Sequence, residues 1–161
     1  GSLRIYGCHS DDPRKMITSV QEVLAEEQSY GLRQLSIYRG FQACADRVKM
    51  DLLRYLTELK GEGKTVAAYG AAAKGNTLLN YAGIKPDLLP FVCDAALSKQ
   101  GKYMPGSHIP IFPPIMLREK QPDIVLILPW NIAAEVVSQN AYVREWGGRF
   151  VTAIPKISVI N

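Results

Sequence analysis

Cysteine and histidine are scarce in this chain. The three cysteines, Cys8, Cys44 and Cys93, are far apart, odd in number and without C-x-x-C spacing, and there are only two histidines. This pattern argues against a disulfide framework and against a zinc site, and it is typical of a protein from a reducing cytoplasm. We therefore predict no metal in this chain and a cytoplasmic location.

Long hydrophobic runs and a strong charge are also missing. No apolar stretch approaches the ~20 residues that a membrane-spanning helix needs, so we predict no membrane association. The formal net charge is only +4 over 161 residues, which suits a small anionic ligand better than a nucleic acid. With 47% apolar residues the chain has enough material for the core of one ordinary domain, with or without an appendage.

The first 60 residues are predicted to form an arm rather than a sheet. Residues 3–9 alternate like a strand, yet the next candidate strand lies far along the chain, so this strand is expected to pair with a sheet upstream of the sequence. Asp12-Pro13 predicts the start of a helix that continues to about Tyr30. A second helix is predicted over residues 35–59, where apolar residues recur every three or four positions.

From residue 61 the pattern changes to strands alternating with helices. Buried strands are predicted at 65–69, 88–93, 123–128 and 149–154, with a possible edge strand at 156–160. Residues 95–114 read as a long irregular loop, and Asn131 as the N-cap of a helix that runs to Val137. We therefore predict an α/β fold, a Rossmann-like parallel sheet of four to five strands flanked by helices, over residues 61–161.

The turn after the first of these strands is the principal motif. Gly70, Ala72 and Gly75 form a G-x-A-x-x-G variant of the dinucleotide fingerprint, in which small residues let backbone N–H groups approach a phosphate. A helix N-terminus then faces the anion. A turn that binds nothing is an open alternative. A P-loop is rejected, because Asn76 stands where its lysine is required and Lys74 comes two residues early.

Other candidate residues follow the later strands. Asp94 ends the second strand, 24 positions after Gly70, and is either the acid that accepts from a ribose hydroxyl or a structural loop cap. The long loop contributes Lys99, Tyr103 and His108, and the third strand is followed by Trp130 and Asn131. In a doubly wound sheet all of these lie at the carboxyl edge, where ligands bind.

Three segments together carry a resemblance to a known family. They are Tyr-Gly-Ala-Ala-Ala-Lys-Gly-Asn-Thr-Leu-Leu-Asn-Tyr-Ala-Gly-Ile (69–84), Lys-Gln-Gly-Lys-Tyr-Met-Pro-Gly-Ser-His-Ile-Pro-Ile (99–111) after Asp94, and Ile-Leu-Pro-Trp-Asn (127–131). The sequence resembles the C-terminal domain of SAM-dependent sugar C-methyltransferases over about residues 1–160. The resemblance implies a parent protein with a zinc-binding module, a central SAM-binding domain and this domain, the nucleotide diphosphate sugar lying between the last two.

The resemblance also limits what this chain is expected to do alone. The family's zinc module, its SAM loop and its Glu-x-His-x-x-Tyr segment are not in the sequence, so SAM and zinc are expected in upstream domains and no cofactor here. Neither His9 nor His108 is assigned as a base, and the catalytic residues are unknown. The first residues, Gly-Ser-Leu-Arg-Ile-Tyr, resemble the last strand of the methyltransferase domain.

The role implied for this chain is recognition of a nucleotide diphosphate sugar. The turn N–H groups and the Thr77 hydroxyl would contact the diphosphate or the sugar, while Lys74 and Lys99 supply charge. The full candidate set is Gly70, Ala72, Lys74, Gly75, Asn76, Thr77, Asp94, Lys99, Tyr103, His108, Trp130 and Asn131. Two alternatives remain open: a stand-alone dinucleotide-binding oxidoreductase, and a non-catalytic binding or assembly module.

Overall fold

The chain divides into two compact units. The structure, a computed structural model, describes residues 3–160. The first unit ends at Ala45 and the second begins at Asp46. The predicted division at residue 60 refers to the longer parent protein and stays a prediction. Part of the segment that resembles a methyltransferase strand, Gly1 and Ser2, lies outside the described residues.

The first unit is helical but differs from the sequence prediction. Helix α1 spans Thr18–Ser29. Residues 3–9 contain neither helix nor strand, so the predicted strand does not form among the described residues, which offer it no strand to pair with. The predicted helix start at Asp12 is wrong. The Asp12 carboxylate accepts hydrogen bonds from the Arg14 backbone N–H (2.9 Å) and guanidinium (2.7 and 2.6 Å) in a non-helical turn.

The long helix predicted over residues 35–59 is interrupted. Helix α2 spans Leu35–Arg39, Gly40 follows as its C-cap, and α3 spans Phe41–Gly61. The apolar stripe is confirmed over the last turns of α3, where Leu52, Leu56 and Leu59 are buried in the core of the second unit. Glycine terminates helices readily because it lacks the side chain that favours the helical backbone.

A six-stranded sheet forms the second unit and confirms the predicted α/β class. Its strands are β1 Val66–Tyr69, β2 Val92–Cys93, β3 Ile111–Phe112, β4 Ile124–Ile127, β5 Arg149–Thr152 and β6 Ser158–Ile160. The spatial order is β3-β2-β1-β4-β5-β6, with β1 to β5 parallel and β6 antiparallel to β5. The prediction of four to five strands missed β3, because Pro110, Pro113 and Pro114 flank it and make the segment read as part of the long loop.

Helices cover both faces of the sheet, and every residue of β1 and β4 is buried, as their continuous apolar runs predicted. The crossover helices are α4 Ala73–Ala82, α5 Ile115–Lys120 and α6 Ala133–Gln139, with short 3₁₀ turns at Trp130–Ile132 and Ala141–Trp146. Asn131 lies within the first 3₁₀ turn and does not cap α6, which corrects its predicted role. Within residues 3–160 no helix is both long and apolar enough to cross a membrane.

Asp123 joins the amino ends of the two central strands. Its carboxylate accepts from the Thr65 N–H (2.8 Å), the Thr65 hydroxyl (2.9 Å) and the Lys64 ammonium (3.2 Å). The backbone hydrogen bond from Thr65 is the largest cause that holds the pKa of Asp123 below its ordinary value. Burial opposes it, and the Thr65 hydroxyl and Lys64 add smaller lowering effects. The ionised carboxylate is therefore the form that stabilises the fold.

This arrangement predicts a pH-dependent stability difference. Because the folded-state pKa is depressed, the stabilisation is present above the unfolded pKa of about 4 and is lost as pH falls through the folded value. Asp123→Asn should therefore melt at a lower temperature than wild type at pH 7, and the gap should close as pH falls through the depressed pKa of Asp123. Thermal unfolding followed by circular dichroism from pH 2.5 to 7 measures this difference in melting temperature. The control is Glu119→Gln, because Glu119 is exposed. A difference that does not depend on pH would contradict the stabilising role of the ionised Asp123 carboxylate.

Candidate functional site at the carboxyl edge

Gly70 allows the turn after β1 to pass close to the end of β4. Its backbone has φ +93°, a left-handed conformation that favours glycine, and its N–H donates to the Cys93 carbonyl at 2.7 Å. A β-carbon at this position would lie 2.5 Å from Pro129 Cδ. The first glycine of the motif is therefore required by the backbone geometry, independently of any ligand.

Gly75 allows helix α4, in which it lies, to approach the end of β4 closely. A β-carbon there would lie 2.5 Å from the Leu128 Cβ, so the absence of a side chain lets α4 pack directly against the residue that follows β4. Helix α4 begins at Ala73 after an N-cap, Ala72, that makes no side-chain capping bond. The first-turn N–H groups of such a helix point beyond its end and favour an anion.

Asp94 connects this turn to the loop after β2. Its Oδ2 accepts from the Ala71 N–H (2.7 Å) and from Lys99 Nζ (3.0 Å), and its Oδ1 accepts from the Ala96 N–H (2.8 Å). Asp94 is buried, at 7% exposure. The geometry supports the structural interpretation, in which the carboxylate caps the turn and the loop; acceptance from a ribose hydroxyl stays a prediction.

A cleft of about 440 Å³ opens between the start of α4 and the loop after β2. Four of the predicted site residues line it: Ala72, Asn76, Lys99 and Tyr103. The other lining residues are Ala71, Ala73, Ser98, Lys102, Met104, Pro105 and Ile111. We refer to it as the α4 cleft. Lys102 is the charged lining residue that the sequence analysis missed, although it follows Lys99 by three positions in a loop already predicted to be functional.

Two residues outside the cleft hold its Pro105–Gly106 wall in place. Asn80, on α4, donates from Nδ2 to the carbonyl of Pro105 at 2.9 Å, and Lys85 Nζ donates to the carbonyl of Gly106 at 2.7 Å. A β-carbon on Gly106, whose φ is +79°, would lie 2.4 Å from Asn80 Oδ1. No sequence pattern predicts these contacts, because they join residues more than 20 positions apart.

Lys74, Trp130 and Asn131 form a second group, at the end of β4. Lys74 Nζ donates to Asn131 Oδ1 at 2.8 Å and lies 5.4 Å from the centroid of the Trp130 ring. The Trp130 ring is half-buried and packs against the core, while Lys74 and Asn131 are exposed. The structure thus joins three predicted residues from α4 and the β4 end, outside the lining of the α4 cleft.

Thr77 and His108 are not brought into the α4 cleft. The Thr77 hydroxyl donates to the Ala73 carbonyl at 3.1 Å within α4. His108 is exposed, adopts φ +59°, and its ring centroid lies 5.9 Å from that of Tyr103. Its link to the cleft is therefore indirect, through a ring that lines it.

Fold and site together define a class of protein: a Rossmann-like domain with a glycine-alanine turn, a free helix N-terminus and a basic cleft at the carboxyl edge of its sheet. The chain belongs to the family described as the C-methyltransferase C-terminal domain, whose model matches residues 1–155. This confirms the family expected from the three sequence segments.

A curated relative and a solved structure are similar to the chain. C-methyltransferase NovU of Streptomyces niveus is 36% identical over 161 residues, and the alignment covers 100% of this chain and 38% of NovU. The chain thus spans less than half the length of that relative. The crystal structure of UDP-D-quinovosamine 4-dehydrogenase from Vibrio fischeri matches with a TM-score of 0.44 and 16% identity, covering 61% of this chain and 93% of that one.

Proposed function

We propose that this domain binds a nucleotide diphosphate sugar in the α4 cleft and orients the keto-sugar for C-methylation by an upstream SAM-binding domain of the same protein. The observation that carries the proposal is the cleft itself, in which an uncapped helix N-terminus, Lys102 and the Tyr103 ring face one space. Membership of the C-methyltransferase family supports the link to methyl transfer.

The charge balance of the α4 cleft favours an anion. Lys99 is paired with the buried Asp94 carboxylate, so these two charges compensate each other. Lys102 makes no ion pair with any residue in the described part of the chain, and the α4 N-terminus adds partial positive charge. A diphosphate, with acceptor oxygens on every side, matches this combination of an ammonium and backbone N–H donors.

The dimensions of the cleft and its aromatic wall suit the rest of such a ligand. Small-molecule sites commonly enclose about 300–1,000 Å³, and this cleft has about 440 Å³. The Tyr103 side chain is 60% exposed, leaving a ring face available to stack on a sugar or a base. The Lys74–Trp130–Asn131 group at the end of β4 would extend the site along the same edge.

The chemical step is assigned to the upstream domain. Burial raises the pKa of the Cys93 thiol to about 12, so this residue stays protonated and is no nucleophile. SAM would supply the methyl group when bound to the upstream domain, and no residue of this chain is assigned to SAM or zinc. The contribution of this chain is binding energy that positions the reacting carbon, which raises the rate without supplying a catalytic group.

Lys102→Met tests the proposal, because it keeps the aliphatic stem and removes the charge. Lys102 is exposed in the free protein, where an ion pair is worth up to about 1 kcal/mol, and a ligand that shelters the contact strengthens it. The Kd for UDP-glucose or dTDP-glucose should therefore rise about threefold to tenfold. The Kd for uridine or thymidine should barely change, and added salt should weaken the wild-type interaction more than that of the variant. Isothermal titration calorimetry measures each value.

Lys156→Met is the matched control, since Lys156 is exposed and lies outside the cleft lining, and it should leave every Kd unchanged. NAD and SAM serve as comparison ligands. Tighter binding of NAD than of either nucleotide sugar would favour the oxidoreductase alternative, and wild type that binds none of these ligands would overturn the proposed function.

A further inference from the structure

The amide oxygen of Asn76 is a buried acceptor that lacks a partner among the residues the structure describes. Asn76 lines the α4 cleft, yet its Oδ1 is shielded and accepts no hydrogen bond from any residue in the described range 3–160. Buried side-chain polar atoms are nearly always hydrogen-bonded, so each exception requires an explanation. Within the described range, the second such atom is the Ser107 hydroxyl, and Ser107 does not line the cleft.

The backbone holds Asn76 in this position from both sides. Its N–H donates to the Ala72 carbonyl at 2.9 Å, and its carbonyl accepts from Asn80 Nδ2 at 3.0 Å. The same Asn80 nitrogen donates to the Pro105 carbonyl across the cleft at 2.9 Å. The side chain therefore projects from a residue whose backbone is tied both to the start of α4 and, through Asn80, to the opposite wall.

The chemistry of the unpartnered atom restricts what can lie against it. An amide oxygen only accepts hydrogen bonds, and an ionised diphosphate offers no donor. The complementary group is consequently a hydroxyl or an N–H on a neutral part of the ligand.

We infer that Asn76 is a specificity-determining residue of the α4 cleft, and that its amide oxygen accepts a hydrogen bond from a hydroxyl or N–H of the hexose or nucleoside portion of the bound nucleotide sugar. This inference rests on the proposed function and goes beyond it by naming the group that reads the neutral part of the ligand. Selectivity arises because a ligand without the donor leaves the acceptor buried and unpaired.

Asn76→Leu tests this assignment, because leucine has the same branching at Cγ and no acceptor. The Kd for UDP-glucose or dTDP-glucose should rise about tenfold. The melting temperature of the free protein should stay the same or increase, because an unpartnered polar atom is removed from a helix interior and leucine is the better helix former. A merely structural asparagine would lose stability on the same change.

Parallel titrations with UDP and dTDP identify the source of the donor. A loss confined to the nucleotide sugars places the hexose against Asn76, and an equal loss for the free diphosphates places the nucleoside there; both results support the inference. Unchanged Kd values for all four ligands overturn it while leaving the proposed function in place. If the wild-type protein binds none of the four ligands, both the inference and the proposed function are overturned.

Asn140→Leu is the matched control. Asn140 is buried, but its amide is fully engaged: Nδ2 donates to the Val136 carbonyl at 2.9 Å, and Oδ1 accepts from the Tyr142 hydroxyl at 3.0 Å. This variant should lose melting temperature and keep its Kd values. If Asn76→Leu does not fold, Asn76→Ala gives the same comparison, and failure of both to fold assigns Asn76 to the structure and overturns the inference.

Discussion

Gly75→Ala is expected to lower the free energy of unfolding by about 3 kcal/mol, the upper end of the usual effect of overpacking a core. The added methyl group would lie 2.5 Å from the Leu128 Cβ, a backbone-anchored atom that cannot rotate away, so α4 must shift off the sheet. Gly75→Val should be more severe. Urea unfolding followed by circular dichroism measures the loss, and the affinity for nucleotide sugar should fall as well, because the helix N-terminus moves with α4.

Gly61→Ala provides the matched control for this substitution. Gly61 is also helical, at the end of α3, but an added β-carbon there meets no atom of residues 3–160 within 4 Å. Alanine is the better helix former, so this variant should be as stable as wild type or more stable by up to about 1 kcal/mol. Equal stabilities for Gly75→Ala and Gly61→Ala would show that α4 does not pack on β4 as closely as described.

Asp94→Ala is expected to lower the free energy of unfolding by about 3 kcal/mol and to weaken nucleotide-sugar binding at least tenfold. The substitution removes the acceptor for the Ala71 and Ala96 N–H groups and the partner of Lys99. Hydrogen bonds to a charged group are worth roughly 1.5–3 kcal/mol, and the released donors are partly buried. Urea unfolding and calorimetric titration measure the two losses.

The choice of ligand separates the structural role of Asp94 from a ribose contact. If the carboxylate only caps the turn and the loop, UDP-glucose and dTDP-glucose should lose the same factor in affinity. A ribose 2′-hydroxyl contact would make the loss larger for UDP-glucose, since dTDP lacks that hydroxyl. Asp87→Ala is the control. The Asp87 side chain is 65% exposed and lies 3.9 Å from Lys60 Nζ, so its removal should hardly change the free energy of unfolding. An Asp94→Ala variant as stable as wild type would contradict the capping role of Asp94.

The fold class was readable from the sequence alone. The uninterrupted apolar runs of β1 and β4 indicated strands buried on both faces, and the spacing of Leu52, Leu56 and Leu59 indicated a helix that packs on the core. Gly70 and Gly75 were recognisable because only glycine fits where another backbone or side chain lies this close. These features depend on neighbours in sequence or on steric rules for one residue type, and local pattern is sufficient to reveal them.

The pairing of polar side chains was decided by the tertiary structure. Asp94 has two possible roles in the sequence because one of its partners, the Ala71 N–H, belongs to a turn 23 positions away. The same holds for Lys102 and Asn76. Sequence reveals that an ammonium and an amide are present. Only the fold determines that, among residues 3–160, Lys102 has no ion-pair partner and the buried Asn76 oxygen has no donor. Such properties depend on distances between residues far apart in the chain, which hydrophobic periodicity does not encode.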